Sequence, residues 1–252
     1  MRRRLRFLAL VFIAALPGFL KRQLYRWWFG YRIGNHVRIG IAYLDCASLS
    51  IGDHSSISHG SVFWRCGEVE LGKHAVIGPL NLFRGGRRLQ LGDYSQVIRF
   101  NFINAIMEHD CINDPDSSLH LGYGSVITAE HRIDFTDRVT IGRCSILGGR
   151  NSSIWTHNRR EGRPVEIGNY CYIGSEIRMA PGARVPNCCI VGLGSVITRP
   201  LTEEYSLIAG VPAKAQRRLC GEDYELIFGK TRRDLPDESY PVPMQVVSLG
   251  DH

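Results

Sequence analysis

Three side chains near the middle of this 252-residue chain could carry acid–base chemistry. His157 lies in the polar loop 154–166, which interrupts an otherwise regular six-residue repeat. His131 and Asp134 lie upstream, within the segment ITAEHRID that ends at Asp134. An imidazole titrates near neutral pH and can take or return a proton, and a carboxylate can fix the tautomer of a histidine. We therefore predict that Asp134 orients a histidine in a site built around His157.

The elements that must position these side chains are short strands in a six-residue repeat. Aliphatic residues followed by glycine recur along the chain: Ile33-Gly34, Ile51-Gly52, Leu71-Gly72, Leu91-Gly92, Leu121-Gly122, Ile141-Gly142 and Ile167-Gly168. The fourth place after the aliphatic residue of a repeat is compact: Val37, Ser55, Ala75, Ser95, Ser125, Ser145, Cys171, Cys189 and Ser195. Three such hexads make one coil, so the pattern predicts a triangular prism of parallel sheets, an all-β solenoid of about eight coils.

Two long loops leave this predicted prism. The spacing from Ile141 to Ile167 is 26 residues, which exceeds an 18-residue coil by eight and lets the loop with His157 leave the wall. The other excursion, Glu108 to His120, contains His109 and four acidic residues. Long loops on a regular scaffold often carry function. The loop from Glu108 to His120 is therefore part of a binding site, a contact to a neighbouring subunit, or a solvated corner.

The ends of a solenoid need caps, because an open terminal coil exposes unpaired strand edges. We predict a helical cap over residues 1–32, the solenoid over residues 33–200, and a C-terminal cap and tail over residues 201–252. The C-terminal region combines a short helix near Leu219 to Phe228 with an extended, proline-containing tail.

The charge of the chain is asymmetric. The net charge is +7, and residues 1–44 contain nine lysines and arginines but no acidic residue. This asymmetry favours an anionic partner surface, most simply a membrane, and no nucleic-acid-binding motif accompanies it. The apolar run from Phe7 to Leu20 is short for a spanning helix and is interrupted by Pro17-Gly18. It also imitates a signal peptide. We expect a helix pair that either contacts the inner membrane surface through residues 1–30 or packs only on its own protein.

The eight cysteines include no C-x-x-C pair, and Cys171 and Cys189 occupy compact repeat positions. Small buried thiols fit this pattern better than a disulfide framework or a zinc site. Reduced thiols are typical of cytoplasmic proteins, so we expect the chain to reside there.

From about residue 120 to residue 219 the chain resembles the hexapeptide-repeat acyltransferases. The resemblance is carried by the loop around His157 and by three later motifs: YIGS over 172–175, VGLGSVIT over 191–198, and AGVPAK over 209–214. The sequence is most similar to sugar O-acetyltransferases and to those of exopolysaccharide and colanic-acid biosynthesis. This resemblance implies a left-handed parallel β-helix, acetyl-CoA as co-substrate without a metal, a sugar or polysaccharide-precursor hydroxyl as acceptor, and a homotrimer with sites between subunits.

The same resemblance assigns roles to individual residues. It matches His157 to the general base of the family. It places Ser175, Leu193 and Gly194 along the pantetheine arm of the donor, and Thr198, Arg199 and Lys214 near its phosphates. His131 belongs to a T-x-x-H-x-x-D element similar to that of the exopolysaccharide subset. His131 therefore either lines the acceptor site as a catalytic residue or is an outward polar residue between two buried isoleucines.

Three other functions compete with sugar O-acetylation. Acetylation of the amine of a nucleotide-linked amino sugar is the nearest, since variable loops hold the acceptor. A zinc site of the γ-class carbonic anhydrase type would use His54 and His59, although the third histidine and the arginine and aspartate motif are missing. An inactive scaffold would be expected to lose His157 or the donor motifs, and both are present.

Overall fold

A computed structural model describes residues 3–108, 111–228 and 235 of the chain. Two helices, α1 (Arg3–Ala15) and α2 (Gly18–Phe29), precede a long series of short strands. The strands of the first half are β1 (Arg32–Ile33), β2 (Arg38–Ile39), β3 (Tyr43–Ile51), β4 (Ser56–Ile57), β5 (Val62–Leu71), β6 (Val76–Ile77), β7 (Leu82–Arg84), β8 (Arg88–Leu91), β9 (Gln96–Arg99) and β10 (Phe102–Asn104).

The series continues through the second half of the chain. Its strands are β11 (Ser118–Leu121), β12 (Val126–Ala129), β13 (Arg132–Asp134), β14 (Val139–Ile141), β15 (Ile146–Arg150), β16 (Ser153–Ile154), β17 (Val165–Ile167), β18 (Tyr172–Ile173), β19 (Arg178–Met179), β20 (Arg184–Val185), β21 (Ile190–Val191), β22 (Val196–Ile197), β23 (Ser206–Gly210) and β24 (Ala213–Arg218). The short helix α3 (Asp223–Phe228) follows β24.

These strands stack into three parallel ladders, one on each side of a prism. One ladder runs β2-β4-β6-β9-β12-β15-β18-β21-β23, and the other two meet in a 14-stranded sheet in which β3 and β5 turn through a corner. We call the ladder β7-β10-β13-β16-β19-β22 the site face. Each coil places its aliphatic residues directly over those of the coil before, as Ile103, Ile133 and Ile154 do on the site face. Burying these stacked side chains drives the folding of the prism.

The hexad pattern of the sequence is therefore confirmed by the structure. The compact positions of the repeat are buried, and Ser55, Ser125 and Ser145 are completely inaccessible to solvent. The hydroxyl of Ser55 donates to the carbonyl of Gly72 at 2.7 Å, one coil further on, and similar bonds recur at later coils. A small hydroxyl fits these corners because it satisfies a backbone carbonyl that would otherwise be buried without a partner.

The parallel ladder extends beyond the predicted boundary at residue 200. Strand β23 pairs in parallel with β21 and adds a ninth rung on one side of the prism. Strand β24 then pairs antiparallel with β23 and covers its edge. The sequence did not reveal this rung, because it begins in SLIAG without the aliphatic–glycine signature of earlier coils. The proline-containing tail lies outside the described residues, except for Leu235.

The N-terminal helices cap the other end of the prism. Leu10 and Ile13 are completely buried, and the ammonium of Lys21 donates to the carbonyls of Ile39 and Gly40 in the first coil. This bonding satisfies backbone groups at the open end of a parallel ladder. Among the described residues, no helix has the length and apolar character needed to cross a membrane.

Candidate active site

The structure brings His157 and Asp134 together at the corner that follows the site face. The Nδ1 atom of His157 lies 2.7 Å from Oδ2 of Asp134, and the exposed fractions of the two side chains are 18% and 5%. Asp134 ends β13, and His157 follows β16, which is the next strand of the same ladder. The coil stacking therefore converts a separation of 23 residues into direct contact.

Two threonines complete the surroundings of the Asp134 carboxylate. Thr136 donates its hydroxyl and its backbone N–H to Oδ1, at 2.6 and 3.3 Å. Thr156 donates its hydroxyl and its backbone N–H to Oδ2, at 2.9 and 3.0 Å. Such donors are needed because the oxygens of a buried carboxylate would otherwise lack hydrogen-bond partners. Asp134 is therefore held as an acceptor that faces His157.

The directions of the threonine hydroxyl protons follow from their other partners. The Thr136 hydroxyl oxygen accepts the N–H of Ile106 at 2.9 Å, and the Thr156 hydroxyl oxygen accepts the N–H of Asp137 at 2.9 Å. Each hydroxyl proton is thus free to point at Asp134, which only accepts. The remaining bond to Asp134 must come from Nδ1–H of His157. A neutral ring with its proton on Nδ1 has a lone pair on Nε2. Nε2 has no hydrogen-bond partner among the described residues.

The two excursion loops pack against each other and hold the His157 loop. The side-chain amide of Asn113 donates to the carbonyl of Gly162 at 2.9 Å and accepts the N–H of Gly162 at 2.8 Å. The N–H of Ile112 also donates to the carbonyl of Arg160 at 2.9 Å. Gly162 fits closely, since a Cβ there would lie 2.8 Å from Cβ of Pro115. The described part of the 108–120 loop therefore braces the other loop within one chain; His109 lies outside the described residues.

His131 is placed differently from both sequence-based expectations. Its side chain is completely buried, whereas the sequence predicted either a site-lining or an outward residue. Its Nδ1 accepts the backbone N–H of Ser152 at 3.1 Å, and its Nε2 lies 2.9 Å from the hydroxyl of Thr128. Burial lowers the pKa of His131 to about 4, so the ring is neutral. Both ring nitrogens of His131 already have hydrogen-bond partners, so neither is free to exchange a proton with a substrate. The catalytic role of His131 stays a prediction.

His131 continues a ladder of buried polar residues at the corner that precedes the site face. Oδ1 of Asn81 accepts the backbone N–H of Asn101 at 3.1 Å, and Oδ1 of Asn101 accepts the backbone N–H of His131 at 3.0 Å. The residue before each member has a positive φ: Leu80, Phe100 and Glu130. The spacing of these polar residues contained the signal, but from sequence His131 was expected to line the acceptor site or to point outward between two buried isoleucines, not to be buried at a corner.

The predicted donor-side residues are distributed over two corners and the final hairpin. Ser175, Leu193 and Gly194 lie at the corner before the site face, where the N–H of Gly194 donates to the carbonyl of Ser175 at 2.9 Å. Leu193 is 78% exposed. Thr198 and Arg199 lie after β22, at the corner that also carries His157, and both are exposed. Lys214 is exposed on β24. The two corners lie on opposite sides of the site face.

A polar groove of about 420 Å³ lies on the site face between these corners. Its lining includes the charged residues Arg132, Glu176 and Arg178, together with Ser153 and Trp155. Trp155 is 48% exposed and stands two residues before His157. Such a combination of an aromatic surface and hydrogen-bonding groups is suited to binding a small polar molecule.

The histidines considered for a zinc site, His54 and His59, do not converge on a common point. The ring of His54 stacks between those of His36 and His74, with centroid distances of 4.8 and 5.0 Å. His59 lies beyond β4 and its Nδ1 accepts the N–H of Ile41. Face-to-face rings do not direct their nitrogens at a common point. Within the described ranges, no cluster of three or more His, Cys, Asp or Glu residues is arranged to hold a metal ion.

Thr136, Thr156 and Asn113 belong to the candidate site but were not predicted from the sequence. The two threonines are 20 residues apart, which is the length of one coil at several places in the chain. Each follows the end of a site-face strand. This spacing was a usable signal. No comparable pattern marked Asn113, whose partner lies 49 residues away on another loop.

Comparisons with known proteins agree with the repeat and the fold. No family model matches the chain. Over 135 residues the chain is 24% identical to galactoside O-acetyltransferase from Escherichia coli (strain K12), a match that covers 50% of this chain and 66% of the relative. The chain thus spans just under two thirds of that relative.

A solved UDP-N-acetylglucosamine acyltransferase from Bacteroides fragilis 9343 is similar in fold. The TM-score is 0.57 at 14% identity, and the match covers 74% of this chain and 69% of the other. The predicted fold, a left-handed parallel β-helix with an N-terminal helical cap, is confirmed. The six-residue repeat, this fold and the acetyltransferase relative all agree with the predicted family, the hexapeptide-repeat acyltransferases.

Proposed function

We propose that this chain is an acetyl-CoA-dependent O-acetyltransferase that acts on a sugar hydroxyl, with His157 as the general base. The observation that carries the proposal is the 2.7 Å contact between Nδ1 of His157 and the buried carboxylate of Asp134. This contact leaves Nε2 as the group that can accept a proton. The name of the E. coli relative, a galactoside O-acetyltransferase, supports both the reaction and the class of acceptor.

The geometry supports direct transfer without an acyl-enzyme. Nε2 of His157 takes the proton of the acceptor hydroxyl as the hydroxyl oxygen attacks the thioester carbonyl. Asp134 stabilises the imidazolium that forms, because its carboxylate lies against Nδ1–H. The carbon–sulfur bond then breaks, and His157 returns the proton to the departing thiolate. The products are an acetylated sugar and free CoA.

The exposed cations at the ends of the site face support binding of the donor. Arg199 lies at the same corner as His157, two coils further along, and Lys214 lies on the terminal hairpin. Guanidinium and ammonium groups pair with the phosphates of CoA. In this proposal Ser175, Leu193 and Gly194 belong to the donor groove. The neighbouring subunit of a homotrimer provides its opposite wall.

Replacement of His157 tests the proposed base. For H157A we expect kcat to fall by about 10²–10⁴-fold, the usual contribution of a general base, while the affinity for acetyl-CoA stays unchanged. Free CoA thiol released in the presence of galactosides and other sugars would be measured, and mass spectrometry would identify the acetylated product. H120A is the matched control, since His120 has no contact with Asp134 and should retain wild-type turnover.

A second variant tests the role of Asp134. D134N keeps the size of the side chain but gives it a donor, which favours the other tautomer of His157 and protonates Nε2. We expect a loss of kcat comparable to that of H157A with little change in KM. Wild-type turnover in either H157A or D134N would overturn the proposed mechanism.

A further inference from the structure

Nine large apolar side chains are exposed on the two N-terminal helices. They are Leu5, Phe7, Leu8, Val11, Phe12, Phe19, Leu20, Trp27 and Trp28, with exposed fractions between 42% and 75%. We call them the cap surface. A soluble protein seldom exposes so many apolar residues in one region unless the region binds a partner.

On α1 most of the cap surface faces away from the side that packs on the prism, and only Phe7, at its edge, also contacts the aromatic ring of Tyr43. On α1 the residues Leu10, Ile13 and Ala14 are buried, whereas Leu5, Leu8 and Phe12 lie on the opposite side of the helix. A surface helix normally carries polar residues on that opposite side. Helix α1 is thus apolar on two sides, and the fold of this chain covers only one of them.

The charge around the cap surface is positive. The chain has no acidic residue before Asp45, and the carboxylate of Asp45 is paired with Arg6 at 2.7 Å. Arg3 and Arg4 are exposed on the first turn of α1, and Arg22 lies on α2. These cations accompany exposed tryptophans, which prefer the interface between water and hydrocarbon. The partner therefore has to be both apolar and anionic.

A cleft at the edge of the cap surface fits the same chemistry. Its volume is about 370 Å³, and Phe7, Tyr43 and Trp64 line its apolar part. The rings of Tyr43 and Trp64 are stacked at 5.6 Å, and Phe7 lies 5.7 Å from Tyr43. Arg3, Arg4 and Arg65 line the same cleft. A single anionic lipid would place its phosphate against the arginines and part of an acyl chain against the aromatic rings.

We propose that the cap surface binds the face of a bilayer that contains anionic phospholipids. A second copy of this chain is a poorer occupant, because it would bring two sets of arginines together without compensating acidic residues. The helices are 13 and 12 residues long and are held to the prism by their buried sides, so they would lie in the plane of the interface. The proposal does not depend on the acetyltransferase function.

Binding to vesicles tests this proposal on the full chain. The protein would be sedimented with vesicles of phosphatidylcholine alone and with vesicles of phosphatidylcholine that also contain phosphatidylglycerol, which makes their surface negative. We expect binding to the anionic vesicles that weakens as salt increases. The variant W27S/W28S should bind about tenfold more weakly, because it removes exposed apolar area. The variant R3A/R4A should weaken binding to the anionic vesicles and leave any binding to pure phosphatidylcholine vesicles unchanged.

The matched control is W155S, which removes another exposed tryptophan, 48% accessible and outside the cap surface, and should bind vesicles like the wild type. Light scattering would report the oligomeric state of every variant, and circular dichroism its folding. Absence of wild-type binding to anionic vesicles would overturn the proposal. A smaller oligomer in W27S/W28S with unchanged vesicle binding would also overturn it, and would assign the cap surface to contacts between subunits.

Discussion

Asp134 has the strongest influence on the chemical state of the site at the scale of single residues. Its two oxygens accept bonds from Thr136, Thr156 and His157, and the residues that bond it come from two successive coils. The two hydroxyls and the imidazole all donate to this one carboxylate. A single side chain therefore sets the tautomer of His157 and holds the corner of the coil in place.

His131 should control how the stability of the fold depends on pH. The folded chain takes up a proton at His131 only near pH 4, because burial disfavours the charged ring, whereas the unfolded chain takes it up near pH 6.5. As the pH falls from 6.5 to 4, the unfolded state gains the proton and the folded state does not. The contribution of neutral His131 to the free energy of unfolding is fully present above pH 6.5. It decreases by about 3 kcal/mol as the pH falls to 4.

The variant H131N tests this dependence. Asparagine occupies the equivalent corner positions at Asn81 and Asn101, so it can accept the N–H of Ser152 without titrating. Urea unfolding at several pH values should show a flatter profile for H131N than for the wild type. Turnover near neutral pH should remain within a few-fold of wild type. An unchanged pH profile, or a loss of turnover as large as that of H157A, would contradict the structural role.

The residue-level predictions from sequence succeeded where a residue belonged to a repeated or matched pattern. The aliphatic and compact positions were recognisable because each recurs at a fixed interval and faces the same interior. The orientation of a histidine by Asp134 was anticipated from chemistry, and the structure places Asp134 against His157. The burial of His131 was not anticipated, because a shift of one residue at a corner exchanges inside and outside.

The two excursion loops act together at the scale of elements. Each leaves the prism at a different coil, but the paired bonds between Asn113 and Gly162 join them on the outside of the wall. Sequence could locate both loops from their spacing. It could not predict their contact, because loop-to-loop hydrogen bonds have no periodic signature. The loop that lacks the proposed base therefore helps to position it.

The variant N113A should loosen the His157 loop without unfolding the prism. It removes two hydrogen bonds, each contributing about 1 kcal/mol, from a loop that the core does not need. We expect kcat to fall about tenfold and hydrogen exchange to increase over residues 157–163, with little change in the melting temperature. N35A, at an exposed corner of the first coil, serves as control. Unchanged exchange in N113A would show that the loop is held by other contacts.

Under the proposed function, the distribution of the predicted site residues over the whole molecule favours an assembly. His157 and Arg199 lie at the corner after the site face, whereas Ser175 and Leu193 lie at the corner before it. In a threefold arrangement of such prisms, the corner of one subunit can approach the opposite corner of its neighbour. Under the proposed function, each site would then take its base from one chain and part of its donor groove from the next.

Mixed oligomers test this arrangement directly. H157A lacks the base, and L193E places a charge on a side chain that is 78% exposed and is assigned to the donor groove. Each variant alone should be inactive. When both are co-expressed with different tags and purified through both tags, every trimer contains the two kinds of subunit. One of the three interfaces then joins an intact His157 to an intact Leu193, so about one third of wild-type activity should return.

Sites formed within single chains predict a different result, since each subunit would carry a defect and mixed trimers would stay inactive. Trimers of H157A with wild-type subunits control for damage transmitted between subunits, and their activity should fall in proportion to the H157A content. Light scattering would verify three chains per particle. Recovered activity would establish that the corner with His157 completes its site on the neighbouring prism, and would explain why the proposed base and the proposed donor groove lie on opposite sides of the site face in one chain.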